Sequence, residues 1–363
     1  MSNRFAHRLR ARRAGFSLVE LMVAMAIGSL IVVGAGYVYS QTRTSYTLNE
    51  TTARLQEEAR YVLSLIEPDV QLAGYYGFTN SYADFQAEDG GSLVPASQLQ
   101  QEDPPFAALP ASAQACGNNF AVDLMATVQG SNNGFQLGPG AALPGEGSGC
   151  AVATPVATAD TLTIRRASTV ATAPSANRLQ LYVNRIKQSG HRIMTNGVAP
   201  GPVVAGTQEV RDLVVRTYYV ARDSEGRPGV PALRMITLGP GPAFEDVEIM
   251  PGVEDLQVQF GIDTGDYDND GVIDLDADNN GIPDAPNGIA TRYVNADSTL
   301  LPGAQVVSVR LWLRLRADQP EGGFQDDRNY VYADVNYTPA GAESAFRRVL
   351  VSRTIQLRNA RTL

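Results

Sequence analysis

The pattern of apolar and polar positions changes character three times along the chain. From Leu18 to Val38 apolar residues follow one another with a single ionisable side chain, Glu20. At 1.5 Å per residue such a run crosses a hydrocarbon core of ~30 Å as a helix. Beyond it Leu48, Thr52, Leu55, Ala59, Val62 and Ile66 recur at alternating steps of four and three. That spacing predicts an amphipathic continuation of the same helix towards Pro68, with its stripe packed on the protein's own globular part. Residues 79–115 and 129–158 are rich in Ala, Gly, Pro, Ser and Gln without a sustained period, and read as long surface loops or partly disordered segments. From Asp160 onward short β-branched runs alternate with turn residues. They predict strands at Thr161–Arg166, Leu179–Val183, Leu213–Ala221, Ala232–Thr237, Val247–Met250, Gln257–Ile262, Gln305–Arg316, Tyr330–Tyr337 and Arg347–Arg358. The expected fold is α+β: a long N-terminal helix packed on a large, decorated, β-rich C-terminal region. The divisions are a basic leader at 1–15, the helix at 16–72 with its first half transmembrane, and a β-rich domain at 73–363.

Charge sharpens the reading of the N-terminus. The leader holds Arg4, Arg8, Arg10, Arg12 and Arg13 and no acid, so the charge step falls at Gly15, ahead of the apolar run. A secretory signal would have a shorter apolar stretch, followed by a small-residue cleavage site. A plain membrane anchor gives no reason for Glu20, whose carboxylate is costly inside lipid. The residues Gly15-Phe16-Ser17-Leu18-Val19-Glu20 resemble the processing motif of type IV pilins. The resemblance implies cleavage between Gly15 and Phe16 by a prepilin peptidase, methylation of the new terminus, and Glu20 as the register residue of filament assembly. A buried amine and a buried carboxylate stabilise one another, and either alone would be a costly unpaired charge. The arginines favour a cytoplasmic leader and a periplasmic C-terminal bulk, anchored in the inner membrane. Losing five arginines with the leader takes the net charge from −9 to −14, which excludes nucleic acid as an expected partner.

A second set of segments narrows the family. Asp69-Val70-Gln71-Leu72-Ala73-Gly74-Tyr75-Tyr76-Gly77 reads on its own as a tight aromatic exit from a helix. It resembles the post-helix segment of PilW-type minor pilins, as do Tyr218–Arg222, Pro251–Asp263 and Arg347–Asn359. The resemblance implies a protein that joins other minor pilins and the major pilin to initiate a type IV pilus at or near its tip. A minor pseudopilin of a type II secretion system and an adhesive tip module stay open beside it.

Candidate ligand and cross-link sites come last. In the segment 263–284, Asp266, Asp268, Asp270, Gly271 and Asp274 form D-x-D-x-D-G-x-x-D, and ten residues on Asp276, Asp278, Asn280, Gly281 and Asp284 repeat the spacing with one Asn. Oxygen ligands at alternate positions followed by glycine suit Ca²⁺, one or two ions, although the closing glutamate of an EF-hand is missing. Cys116 and Cys150 are the only cysteines, and in a domain facing an oxidising compartment they are expected to bridge. Catalysis finds little support. The chain has two histidines, His7 in the leader and His191, read as an exposed loop residue, and no nucleophile or phosphate-binding motif follows a predicted strand. The expectation is a non-enzyme.

Overall fold

The computed structural model describes residues 15–135, 150, 153–186, 190–264, 288–302 and 304–360. The calcium ligands expected between Asp266 and Asp284 lie outside the described residues, as do all leader residues before Gly15. The chain divides into two compact units at Ala53 and Arg54.

One helix, α1 (Leu18–Gln71), runs without a break through Gly28, Gly34 and Gly36. In the first unit its apolar stretch Leu18–Arg43 is long enough to cross a membrane, and none of it is buried within the protein. Leu30, Ile31, Val32 and Val33 point outward around the whole circumference, as expected of a helix whose solvent is lipid. The helix continues three residues past Pro68, to within one residue of the expected boundary at 72. A proline this near the end costs one intrahelical bond, and the carbonyl it orphans belongs to exposed Ser64, where water can satisfy it.

In the second unit the expected stripe is the buried face: Leu55, Ala59, Val62 and Ile66 are all at most 1% exposed, and Val70 and Ala73, outside the expected stripe, extend it. The described strands are β1 (Phe85–Asp89), β2 (Ser92–Pro95), β3 (Val128–Ser131), β4 (Thr161–Ala167), β5 (Gln180–Asn184), β6 (His191–Met194), β7 (Gln208–Ala221), β8 (Ala232–Leu238) and β9 (Phe244–Pro251). They are followed by β10 (Val253–Asp263), β11 (Arg292–Asn295), β12 (Gln305–Arg316), β13 (Tyr330–Tyr332), β14 (Val335–Tyr337) and β15 (Arg348–Gln356). The first nine form one sheet in the order β2-β1-β6-β5-β7-β4-β3, with β8 and β9 branching from β7. A second sheet runs β11-β10-β12-β15, and β13-β14 is a separate hairpin. The hairpin divides the run Tyr330–Tyr337 that reads as one strand, because Ala333 turns the chain at φ +48°.

Strand β7 shows how the layers arise. Leu213, Val215, Tyr219 and Ala221 face one core, while Tyr218 and Val220 face the other; a period of two delivers alternate residues to opposite faces. The second core joins α1 to Leu256, Val258 and Phe260 of β10 and Leu311, Leu313 and Leu315 of β12. The first is filled by the segments expected to be surface loops. Phe85, Leu99, Phe106, Leu109 and Phe135 of the two segments are buried there, beside Phe120, Val122 and Leu124 of the chain between them, so that expectation is corrected. Irregular backbone can be buried only if its polar groups find partners. Here fully buried Asn119 accepts from the Phe106 N–H (2.9 Å) and donates to the carbonyls of Gln100 and Pro104 (3.1 Å each). Arg165 donates to the carbonyls of Phe120 (2.9 Å) and Ala126 (2.7 Å). Cys116 and Cys150 form a disulfide at the edge of this core, with Cα atoms 4.8 Å apart.

Candidate functional site

The processing stretch lies in the first unit. Gly15 and Phe16 are exposed and precede the helix, and a side chain built at Gly15 would meet nothing within 4 Å. Among the described residues nothing packs against Gly15 ahead of the Gly15–Phe16 peptide bond. Two residues on, Ser17 caps the helix. Its N–H donates to Glu20 Oε2 (2.9 Å), and the Glu20 N–H donates to Ser17 Oγ (3.2 Å). This is a reciprocal capping box, which satisfies two of the donors a helix start leaves unpaired and seats a carboxylate at the positive end of the helix dipole. Its signature, Ser-x-x-Glu before an apolar run, was present in the sequence, and only the role of Glu20 was drawn from it. The box holds the carboxylate one residue from the nitrogen that cleavage would free.

The post-helix motif proves to be an anchor. Asp69 is buried. Its Oδ1 accepts from Arg166 Nη2 (2.7 Å) and Nε (3.1 Å), and its Oδ2 accepts from Arg216 Nη1 (2.8 Å) and the Tyr218 hydroxyl (2.6 Å). Burial pushes its pKa up, but Arg216, the Tyr218 hydroxyl and Arg166 outweigh that and hold it below its ordinary value. One carboxylate thus fastens the end of α1 to β4 and β7. The glycines that follow have φ of +72° at Gly74 and +92° at Gly77. A Cβ at Gly77 would stand 2.6 Å from Glu209 Oε1, so the turn needs glycine. Tyr76 is fully buried and donates its hydroxyl to the carbonyl of Leu124 (2.8 Å).

The later segments converge on a second buried charge cluster, at one end of the four-stranded sheet. Arg348 of β15, its side chain without solvent contact, makes a two-pronged pair with Glu254 of β10 (2.8 Å at each oxygen). Arg314 Nε reaches the same carboxylate (3.1 Å), and its guanidinium lies 3.9 Å over the Tyr337 ring. Asp255 accepts from the Tyr332 hydroxyl (2.6 Å), and Asp326 from the Tyr330 hydroxyl (2.7 Å) and Arg328 (2.8 Å). Strand β12 turns a row of arginines to one face. Arg310, Arg314 and Arg316 each cover an aromatic ring, Tyr293, Tyr337 and Phe346 respectively, while Leu311, Leu313 and Leu315 between them face the core.

His191 is a correction. It opens β6, buried, with its ring 5.3 Å from that of Phe85, and its Nδ1 accepts from the Asn184 N–H (3.3 Å). Burial pushes its pKa down. The apolar residues that bury it, Phe85 above all, come from the segment read as loops, so nothing local in the sequence marked it as interior. The two ends of the Asp-rich segment are brought together: Asp263 Oδ2 accepts from the Gly288 N–H (2.7 Å), and Thr264 and Thr291 join through their hydroxyls (3.1 Å). Among the described residues no group of three or more His, Cys, Asp or Glu side chains is placed to hold a metal ion.

Comparison with known proteins follows the same two regions. Residues 217–359 match the family model described as Type IV Pilus-assembly protein W. Residues 10–36 match the prokaryotic N-terminal methylation motif. Among solved structures a type IV-like pilin from Thermus thermophilus is 13% identical over 57% of this chain and 82% of its own, at a TM-score of 0.24, which carries no argument about the fold. No curated protein matches the chain. One match covers the Gly15–Phe16 bond and the Glu20 cap, the other the sheet that holds the Glu254–Arg348 pair, so the chain carries a prokaryotic N-terminal methylation motif at its start and a region similar to Type IV Pilus-assembly protein W over 217–359.

Proposed function

We propose that the chain is anchored in the inner membrane through Leu18–Arg43, with its larger unit in the periplasm, and is cut between Gly15 and Phe16 by a prepilin peptidase. It then joins other minor pilins and the major pilin to prime a type IV pilus, at or near the tip. The observation that carries this reading is the presence of a methylation motif and a pilus-assembly W domain in one chain. The arginine-rich leader favours the orientation. A unit as large as residues 54–363 would be awkward to repeat at every subunit of a thin fibre, whereas one copy at an end has room. After cleavage the Phe16 amine of one subunit and the Glu20 carboxylate of a neighbour form a pair inside lipid that sets register. The role is structural rather than catalytic. Replacing Glu20 with Ala tests it: membrane insertion and trimming persist, while surface pili and twitching are lost. Normal piliation in that strain overturns the assembly role.

The Asp-rich segment takes Ca²⁺ in this reading, with Asp266, Asp268, Asp270 and Asp274 as one ligand set and Asp276, Asp278, Asn280 and Asp284 as the other. Its support is the doubled spacing of oxygen ligands around Gly271 and Gly281, and the eight aspartates in 263–284 without a Lys or Arg to offset them. Calorimetric titration of the detergent-solubilised chain should show binding that is lost in an Asp268→Ala, Asp278→Ala double variant. Absence of heat at millimolar calcium removes the ion from the account.

A further inference from the structure

The two sheets leave a groove between them that the assembly role does not use. It has a volume of about 550 Å³, within the roughly 300–1,000 Å³ range of ligand sites. Its apolar wall is Phe260, Leu301, Val306 and Leu357, and its other side is strand β3. That strand ends the nine-stranded sheet: it pairs with β4, and among the described residues no strand pairs with its outer edge. The register fixes which groups lie on that edge. The Arg165 N–H donates to the carbonyl of Thr127 (2.9 Å) and Gln129 lies opposite Thr163, so in an antiparallel ladder Val128 and Gly130 turn their N–H and C=O outward. The second sheet also ends nearby, at β11, and a Cβ at Gly130 would stand 3.4 Å from that of Ala296, just after that strand.

Two further features select the occupant. The side-chain amide of Gln305 lines the groove with its oxygen and nitrogen both shielded from water and without a hydrogen-bond partner. Buried amides are rarely left so, because the water lost on burial is not replaced by a partner. The lining also carries two carboxylates, Glu102 and Asp123, and no Lys or Arg. A free strand edge, an apolar wall, an unsatisfied amide and a negative rim together fit an extended peptide, and disfavour an acidic one.

We propose that this groove binds an extended, apolar, non-acidic peptide segment of another protein, which adds as a strand to the outer edge of β3 with its apolar side chains against Phe260, Leu301 and Leu357. Four residues of edge, at ~3.3 Å each, accommodate a contact of about four residues. The site stands on the geometry of the second unit alone and holds whether or not the chain primes a pilus.

The test uses the full chain in detergent micelles and two fluorescein-labelled probes. One is a blocked pentapeptide with an N-terminal lysine followed by alternating valine and threonine. The other has its threonines replaced by proline, which cannot complete a ladder. The expected result is saturable anisotropy for the first probe, at least tenfold weaker binding of the second, and slowed amide exchange at Val128 and Gly130. Two variants should each weaken the first probe at least tenfold. Val128→Pro removes an outward donor and no ladder bond, and Leu301→Asp puts a charge in the wall; unchanged near-ultraviolet circular dichroism certifies each fold. Equal binding of both probes, no binding of either, or apolar-wall occupancy by a small molecule without protection of the two amides overturns the proposal.

Discussion

At the scale of single residues the molecule is held by a few buried charges whose partners lie far away in the chain. Asp69 meets Arg166, Arg216 and Tyr218, all more than ninety positions later. Replacing it with Asn would leave two arginines short of their counter-charge, and we expect a loss of about 3–5 kcal/mol by denaturant unfolding. Glu67→Gln, which removes only the exposed contact to Arg353, should cost about 1 kcal/mol or less. The same site sets an acid limit. A carboxyl whose pKa is lowered by folding contributes stability above its unfolded value, near 4, and loses it as pH falls through the folded value. His191 acts at milder pH. Burial holds its folded pKa below the ordinary histidine value of about 6.5, so the unfolded chain takes the proton first and stability falls as pH drops below about 6.5. Thermal unfolding between pH 8 and 5 should show that decline, and His191→Gln should flatten it. Neither residue's role was legible in sequence: the motif around Asp69 was visible, but its partners are assigned by the pairing of β4 and β7.

At the scale of elements, legibility follows periodicity. The stripe from Leu55 to Ile66 is a repeating pattern, and it became the buried face of α1. Ile66→Ala should therefore cost about 2–5 kcal/mol, whereas Tyr61→Ala on the exposed face should stay within about 0.5 kcal/mol. All nine strands read from β-branched runs exist, with ends shifted by a few residues and Tyr330–Tyr337 divided into a hairpin. The five elements without such runs, β1, β2, β3, β6 and β11, are short and were not read. The segments 79–115 and 129–158 lack a sustained period because, among the described residues, three short strands, β1, β2 and β3, and single apolar anchors are joined there by irregular chain. Their order depends on Asn119, Arg165 and the disulfide. Reducing Cys116–Cys150 should lower stability by about 3–4 kcal/mol, measured as the shift in unfolding midpoint with and without reductant.

At the scale of the whole chain the division at Ala53 and Arg54 separates an apolar helix long enough to cross a membrane from a unit that carries its own cores. Among the described residues the buried hydrophobic side chains run from Leu55 to Leu357. A chain begun at Arg54 should therefore unfold cooperatively, with the near-ultraviolet circular dichroism of the longer protein's globular unit. Failure of that fragment to fold would show that the apolar half of α1 supplies stability as well as an anchor.

The membrane-length helix, the processing motif, the resemblance to PilW-type proteins and the β-rich character of the second half could all be read along the chain alone. Each of these is written in contiguous residues or in a short period, and needs no distant contact to be read. Only the tertiary structure decided that Asp69 is an anchor, that His191 and the Ala/Gly/Pro-rich segment are interior, and that Glu254, Arg314 and Arg348 share one site. Burial and ion pairing depend on which strands become neighbours, and a chain whose strand order runs β2-β1-β6-β5-β7-β4-β3 assigns those neighbours across long separations that no local pattern encodes.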